Sequence, residues 1–498
     1  MKVAVFSTHS LWPNHRETEL EIIQGHLDKN DSVYRFYCNG VLPVCDLNPN
    51  HHLPSCMKCR DMEICGKKLL SNTISELSII HKNISIEQLK TSFNYQYGSI
   101  EELKKITHDN FDAGYAALSS VVSLLREPAP DLKLHEEKFE NFLYSSLAIY
   151  LSALEYFKEI KPDVVYVFNG RFAHVKPVLR AAQACNIQCM IHERGSSKYS
   201  YELFENTTPH DRQYFLKRMN HYWDTADEQK RVEIGSAFFE ERVKGKEQGW
   251  HSFTTQQQKG LLPADWDNTK RNVVIFNSSE DEFASIGEEW KNDLYENQVE
   301  AIKKIVADCS IYTDIHFYLR VHPNLIGLNN SEIKAIGAIN YPNLTIIEAE
   351  SKISTYDLLF NCEKVIAFGS SVGIEAVYWD KPSIQAGKSF YFDLNVTYKP
   401  SDHQQTIQLI ADKLEPKDKT PALKYGFYFK TYGIPFKIYK PIDLMSGTYK
   451  NVDLDHSETV NTKVFKFIAN KKIIYRFAAF LRENYQQKKL TLRYLLYK

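Results

Sequence analysis

The segment Val365-Ile-Ala-Phe-Gly-Ser-Ser-Val-Gly-Ile-Glu-Ala376, followed by Asp380-Lys381-Pro382, decides the fold. Its opening apolar run shows no polar alternation, which predicts a strand covered on both faces, as in a parallel sheet. Gly369 permits a tight turn, and Ser370 and Ser371 stand where a helix opens. Ligands of such sheets collect beyond the carboxyl ends of the strands, so both serines become candidate contacts. Unpaired main-chain N–H groups and two hydroxyls suit a phosphate or diphosphate, and Glu375, one turn further on, could accept hydrogen bonds from a ribose diol. The same residues also read as an ordinary helix cap with a surface glutamate.

Strand and helix patterns alternate on both sides of this segment. Before it come apolar runs at 272–276, 315–321 and 344–348, with a helical pattern near 297–308; after it comes 383–385. The first half repeats the scheme, with strand-like runs at 3–7, 33–37, 163–168 and 187–192 and helical patterns at 17–27, 142–157 and 174–184. Strand, helix and strand within some 30 residues make a βαβ unit. The interval 256–271, rich in Gln, Asn, Asp and Pro, reads as a linker. The expected architecture is α/β, two Rossmann-like lobes facing a cleft, spanning 1–255 and 272–430, with a C-terminal extension over 431–498.

Three further clusters fall at predicted strand ends. Arg320 and His322 share a strand face at period two before Pro323 stops the strand, and the pair could clamp an anion; a core histidine paired to backbone is the alternative. Asn277 and Ser278 follow the 272–276 strand and could line the same cleft. In the first half, Asn169 and Arg171 follow one strand, and His192, Glu193 and Arg194 end the next. Glu193 or His192 could act as general base on an acceptor hydroxyl, with His9, just past the first strand, as a third candidate. The arginines could hold an anionic acceptor, or Arg171 and Glu193 could form a buried ion pair.

Composition limits the alternatives. The 498 residues are 43% hydrophobic, which excludes a disordered chain, and 61 basic against 62 acidic side chains leave no global charge to argue for nucleic acid. Residues 463–498 carry ten Lys or Arg against one acid, Glu483, with apolar residues at roughly helical spacing. This tail reads either as a basic amphipathic helix lying on an anionic inner membrane or as a terminal helix packed on the body. No run reaches the ~20 apolar residues that span a bilayer, and Met1-Lys2 leads directly into a strand, so a cytoplasmic location, peripheral at the membrane, is expected. Five of nine cysteines lie between Cys38 and Cys65, where Cys56 and Cys59 have metal-ligand spacing. A structural zinc site and reduced thiols both remain open.

The Arg320-Val-His-Pro323 element and the Gly369-to-Ala376 segment with Lys381-Pro382 resemble the bacterial capsule polysaccharide biosynthesis glycosyltransferases of GT-B fold. They are also similar to the lipopolysaccharide and Kdo transferases and, more distantly, to teichoic-acid glycerophosphotransferases. The resemblance is good over about 272–391 and looser over 163–196. It implies a nucleotide-sugar donor in the second lobe, contacted by His322, Ser370, Ser371 and Glu375, and a glycan or lipid-linked glycan acceptor in the first. It makes a CMP-linked acidic sugar a plausible donor. No Asp-x-Asp pair falls at a strand end, so catalysis without a metal is expected. Two other readings keep the fold: a nucleotide-sugar 2-epimerase, and a non-catalytic subunit of polysaccharide assembly or export.

Overall fold

The computed structural model describes residues 1–463 apart from 9, 13, 250, 251 and 461. The first lobe contributes β1 (Lys2–Ser7), β2 (Ser32–Tyr37), β3 (Ser75–Ser78), β4 (Val164–Phe168), β5 (Gln188–Arg194) and β6 (Ser200–Glu205). The second contributes β7 (Arg271–Phe276), β8 (Ile315–Arg320), β9 (Leu344–Ile347), β10 (Lys364–Ala367) and β11 (Ser383–Gln385). A short β12 (Ile434–Pro435) returns to the first lobe.

The first sheet runs β12-β6-β5-β4-β1-β2-β3, parallel from β5 through β3, with β6 antiparallel to β5 and β12 antiparallel to β6. The second runs β11-β10-β7-β8-β9 and is parallel throughout. In each sheet the first strand sits inside and the chain winds away from it in both directions, which places a crevice at the reversal. The expected pair of Rossmann-like lobes is what forms.

Period-two alternation explains why the strands read as unbroken apolar runs. On β1, Ala4 and Phe6 enter a core shared with helix Glu136–Ile160, while Val3 and Val5 meet Ile22, Ile23 and Leu27 of helix His15–Leu27 on the opposite face. On β7, Val273 and Ile275 pack beneath helix Gln298–Asp308, and Val274 and Phe276 pack against helix Thr355–Asn361. Both faces are covered, so both residue sets are apolar. Lys364 is the exception on β10: its Nζ donates to the carbonyls of Ile410 (2.8 Å) and Asp412 (2.5 Å), capping the end of helix His403–Ala411.

The interval 256–271 lies along the second lobe. Gln257 accepts the Thr355 N–H, Gln258 bridges Ile353, and Trp266 stacks on Tyr318. Residues 434–454 return to the first lobe, where a hairpin of Tyr439–Pro441 and Gly447–Tyr449 covers helix His15–Leu27. Glu21 of that helix accepts the main-chain N–H groups of Lys437, Ile438 and Tyr439. The basic amphipathic helix expected near the C-terminus lies outside the described residues. Among the described residues no helix is long and apolar enough to cross a membrane.

Candidate functional site

The carboxyl ends of both sheets face one another across a cavity of about 530 Å³. From the second lobe its wall includes Asn277, Arg320, His322, Ser370, Ser371 and Glu375; from the first, Glu193 and Arg194. A smaller cavity of about 280 Å³ adjoins it, lined by Asn169, Arg171 and His15. Glu193, Arg194 and Glu282 border both spaces. Residues expected from four separate segments are therefore brought to one place.

Local geometry sets what each can do. Gly369 adopts φ +96°, and a Cβ there would approach the Lys388 carbonyl to 3.1 Å and Ser278 Oγ to 3.3 Å, so the turn after β10 requires glycine. Ser370 Oγ accepts the Val372 N–H (3.3 Å). Ser371 Oγ donates to Glu375 Oε1 (3.0 Å) and accepts from the Arg242 guanidinium (2.9 Å). Glu375 is 0% exposed. Arg242 Nε reaches its Oε1 at 3.1 Å, and the Tyr356 hydroxyl donates to Oε2 at 2.7 Å. Both oxygens are engaged, so Glu375 is a wall of the cavity and the expected ribose contact gives way to this network.

Arg320 is likewise committed. At 2% exposure its guanidinium donates to the carbonyls of Val321 (3.1 Å), Glu348 (2.6 Å) and Ser351 (3.1 Å) and fixes the turn after β9. Burial lowers its pKa to about 10, which leaves it charged at neutral pH. Asn277 and Ser278 lace strand ends together. Asn277 Oδ1 accepts the His322 N–H (2.8 Å), and Ser278 Oγ donates to the Phe368 carbonyl (2.5 Å). Ser278 does not line the cavity.

His322 is different. Its Nδ1 accepts the Asn324 N–H (3.1 Å), which leaves Nε2 as the protonated nitrogen. Burial, aided by Arg320 and Arg126, lowers its pKa to about 4. The ring is thus a neutral N–H donor on the cavity wall.

In the first lobe, Asn169 closes β4 with φ 54°, a left-handed conformation that asparagine tolerates. Its amide donates to Glu193 Oε2 at 2.9 Å, and the Arg194 N–H donates to Oε1 at 3.0 Å. His15 Nε2 stands 3.6 Å from Glu193 Oε1, its ring resting on Phe168 at 3.8 Å between centroids. Arg171 donates to the Glu282 carbonyl (3.0 Å) across the cleft, and burial lowers its pKa to about 10. It does not pair with Glu193. Arg126 clasps the lobes, donating to Asp281 (2.5 Å) and to the Asn324 carbonyl (3.3 Å).

One expected base falls away. His192 is 0% exposed and lies beneath helix His15–Leu27, with Nε2 3.5 Å from Glu19; neighbouring strand residues face opposite sides, and His192 took the inner one. His9 lies outside the described residues. His15 was missed because the loop after β1 is longer than the strand-end rule assumes, so the helix start, rather than the residue next to the strand, reaches the site. Arg242, on helix Glu228–Val243, carried no sequence signal. Cys56 and Cys59 line a third cavity that shares no lining residue with the other two. Among the described residues no three His, Cys, Asp or Glu side chains are grouped to hold a metal ion.

No protein-family model and no curated protein sequence matches the chain. Among solved structures, the beta Kdo 2,4 transferase KpsC of Thermosulfurimonas dismutans is similar at 11% identity and TM-score 0.36, over 54% of this chain and 79% of that one. The UDP-GlcNAc 2-epimerase of Methanocaldococcus jannaschii is similar at 13% identity and TM-score 0.27, over 86% and 98%. The glycosyltransferase SnogD of Streptomyces nogalater is similar at 11% identity and TM-score 0.22, over 86% and 93%. Likenesses this distant leave the fold to be judged from the strand order itself.

Proposed function

We propose that the protein is a glycosyltransferase that moves a sugar from a nucleotide-sugar donor to a surface polysaccharide or its lipid-linked precursor. One observation carries the reading: Glu193 and Arg194 border both the larger cavity, walled by the second lobe, and the smaller one in the first. A carboxylate at the junction of two ligand spaces is where a base must stand if a donor fills one and an acceptor the other. The donor phosphate would lie against His322 Nε2 and the Ser370–Ser371 turn, with Arg194 and Lys246 at the rim supplying positive charge that a divalent ion supplies elsewhere. Glu193, held by Asn169 and paired with His15, would take the proton of the acceptor hydroxyl. Asn169, Arg171 and Arg194 would orient the acceptor. The crossing contacts of Arg126 and Arg171 support lobes that stay together around bound substrate and exclude water.

The test is a thermal-shift screen of the full chain against CMP, UDP, GDP and CDP, followed by transfer assays with the sugar forms of the nucleotide that binds. The resemblance around Arg320-Val-His-Pro323 makes CMP the first to try. Stabilisation by one nucleotide and label transfer to a glycan acceptor, retained in EDTA, support the reading. Release of an epimerised sugar with no acceptor present would favour the 2-epimerase instead.

A further inference from the structure

The third cavity, about 630 Å³, opens at the carboxyl ends of β1 and β2. Thr8, Ser10 and Leu11 border it, whereas Trp12 and His15 border the cleft, and no residue assigned to transfer lines it. Four cysteines do: Cys38 just after β2, Cys45 in the following loop, and Cys56 and Cys59 on helix Leu53–Lys67. Three residues apart on a helix, the last two share a face. All four are free thiols. Their fields overlap: Cys56 acts on Cys38, Cys38 on Cys45, and all three on Cys59.

The rest of the lining is not what inert core thiols need. Arg35, Arg60, Lys67 and Lys68 outnumber Glu63 and Glu76 around the space. Arg35 is 3% exposed; it pairs with Glu63 and Glu76, yet its Nε has no hydrogen-bond partner among the described residues. Such a wall complements a guest whose thiolate ligands leave it net negative. The guest is larger than one ion. A tetrahedral zinc holds sulfurs 2.3 Å away, hence about 3.8 Å from one another, and no three candidate ligands among the described residues are grouped for an ion. A core of four irons and four sulfides takes its four cysteine thiolates at separate corners, and so suits a larger cavity ringed by thiols.

We propose that Cys38, Cys45, Cys56 and Cys59 ligate an iron–sulfur cluster in this cavity. Two ferric and two ferrous ions and four sulfides enter from outside the chain, so the reducible core assembles with no further oxidant. Each thiol releases its proton to solvent as its sulfur binds iron, and ligation itself transfers no electron. The cluster would tie the loop after β2 and helix Leu53–Lys67 to the edge of the first sheet.

The experiment is iron and acid-labile sulfide analysis of the full chain purified without oxygen, and again after its thiols have been reduced, the reductant removed, and ferric and ferrous iron supplied in equal amounts with sulfide. The expected result is about four of each per chain with broad absorption near 400 nm that bleaches on reduction. Cys45→Ser and Cys59→Ser should lose the absorption, and Cys185→Ser, whose thiol lies elsewhere, should keep it, with unchanged far-ultraviolet circular dichroism in all three. Zinc without sulfide, a chain that stays metal-free after reconstitution, or iron undiminished in Cys45→Ser would each overturn the assignment. None of these readings depends on whether the cleft binds a nucleotide.

Discussion

Replacing Arg242 with methionine removes the cation beside Glu375 while keeping much of the side chain's bulk. The carboxylate is 0% exposed, and its Oε1 loses a 3.1 Å hydrogen bond and a 3.0 Å ion pair, retaining only Ser371 and, on Oε2, Tyr356. Breaking a buried pair from one side costs about 3–5 kcal/mol. The Arg242 side chain is 34% exposed, so water replaces part of what it gives, and the expected loss falls to about 2–3 kcal/mol. Urea unfolding followed by tryptophan fluorescence measures it. Adding Glu375→Gln removes the orphaned charge, and the double variant should recover at least about 1.5 kcal/mol relative to the sum of the single changes. Additive effects, or a loss below about 0.5 kcal/mol for Arg242→Met, would refute the claim that this pair joins helix Glu228–Val243 to the second lobe.

His322→Ala should weaken nucleotide affinity about tenfold by calorimetry, the value of one hydrogen bond to a charged oxygen, while wild-type affinity shows no His322 titration between pH 6 and 8 because the ring stays neutral down to about 4. The stability linked to that neutral ring is present above pH 6.5 and is lost as pH falls toward 4. Burial raises Glu332, which accepts the Glu280 N–H, to about 8, so its contribution runs the other way, full below 4.5 and lost as pH rises through 8; Glu332→Gln should therefore flatten the fall in stability between pH 5 and 9. Glu193→Gln should lower kcat by about 10²–10⁴ with nucleotide affinity within twofold, and His15→Ala should lower it less and shift the pH profile of kcat; equal loss of nucleotide binding would deny both roles.

The architecture was legible because burial on both faces writes a parallel strand as an apolar run: Val3 to Phe6 and Val365 to Phe368 declare it without any neighbour. The rule that ligands gather at strand ends likewise singled out Glu193, His322 and the Ser370–Ser371 turn, which line one cavity. The same rule could not distinguish a side chain that faces the cavity from one consumed in building it. Arg320, Asn277, Ser278 and Glu375 all sit at strand ends or one turn beyond, and most of their polar atoms are taken by carbonyls, main-chain N–H groups and Arg242. His192 and Glu193 are adjacent in sequence, yet one is core and the other borders two cavities, a choice made by the pleat at the end of β5. Arg126 and Arg242 reach the cleft from helices distant in the chain, and only tertiary packing brings them there.

Hydrogen exchange of the full chain, with and without the nucleotide that stabilises it best, addresses the cleft most directly. Slowed exchange should appear together in 320–324, 369–375 and 193–196, one set from each lobe around the same space. Protection confined to other segments, or no nucleotide that slows exchange anywhere, would contradict the account.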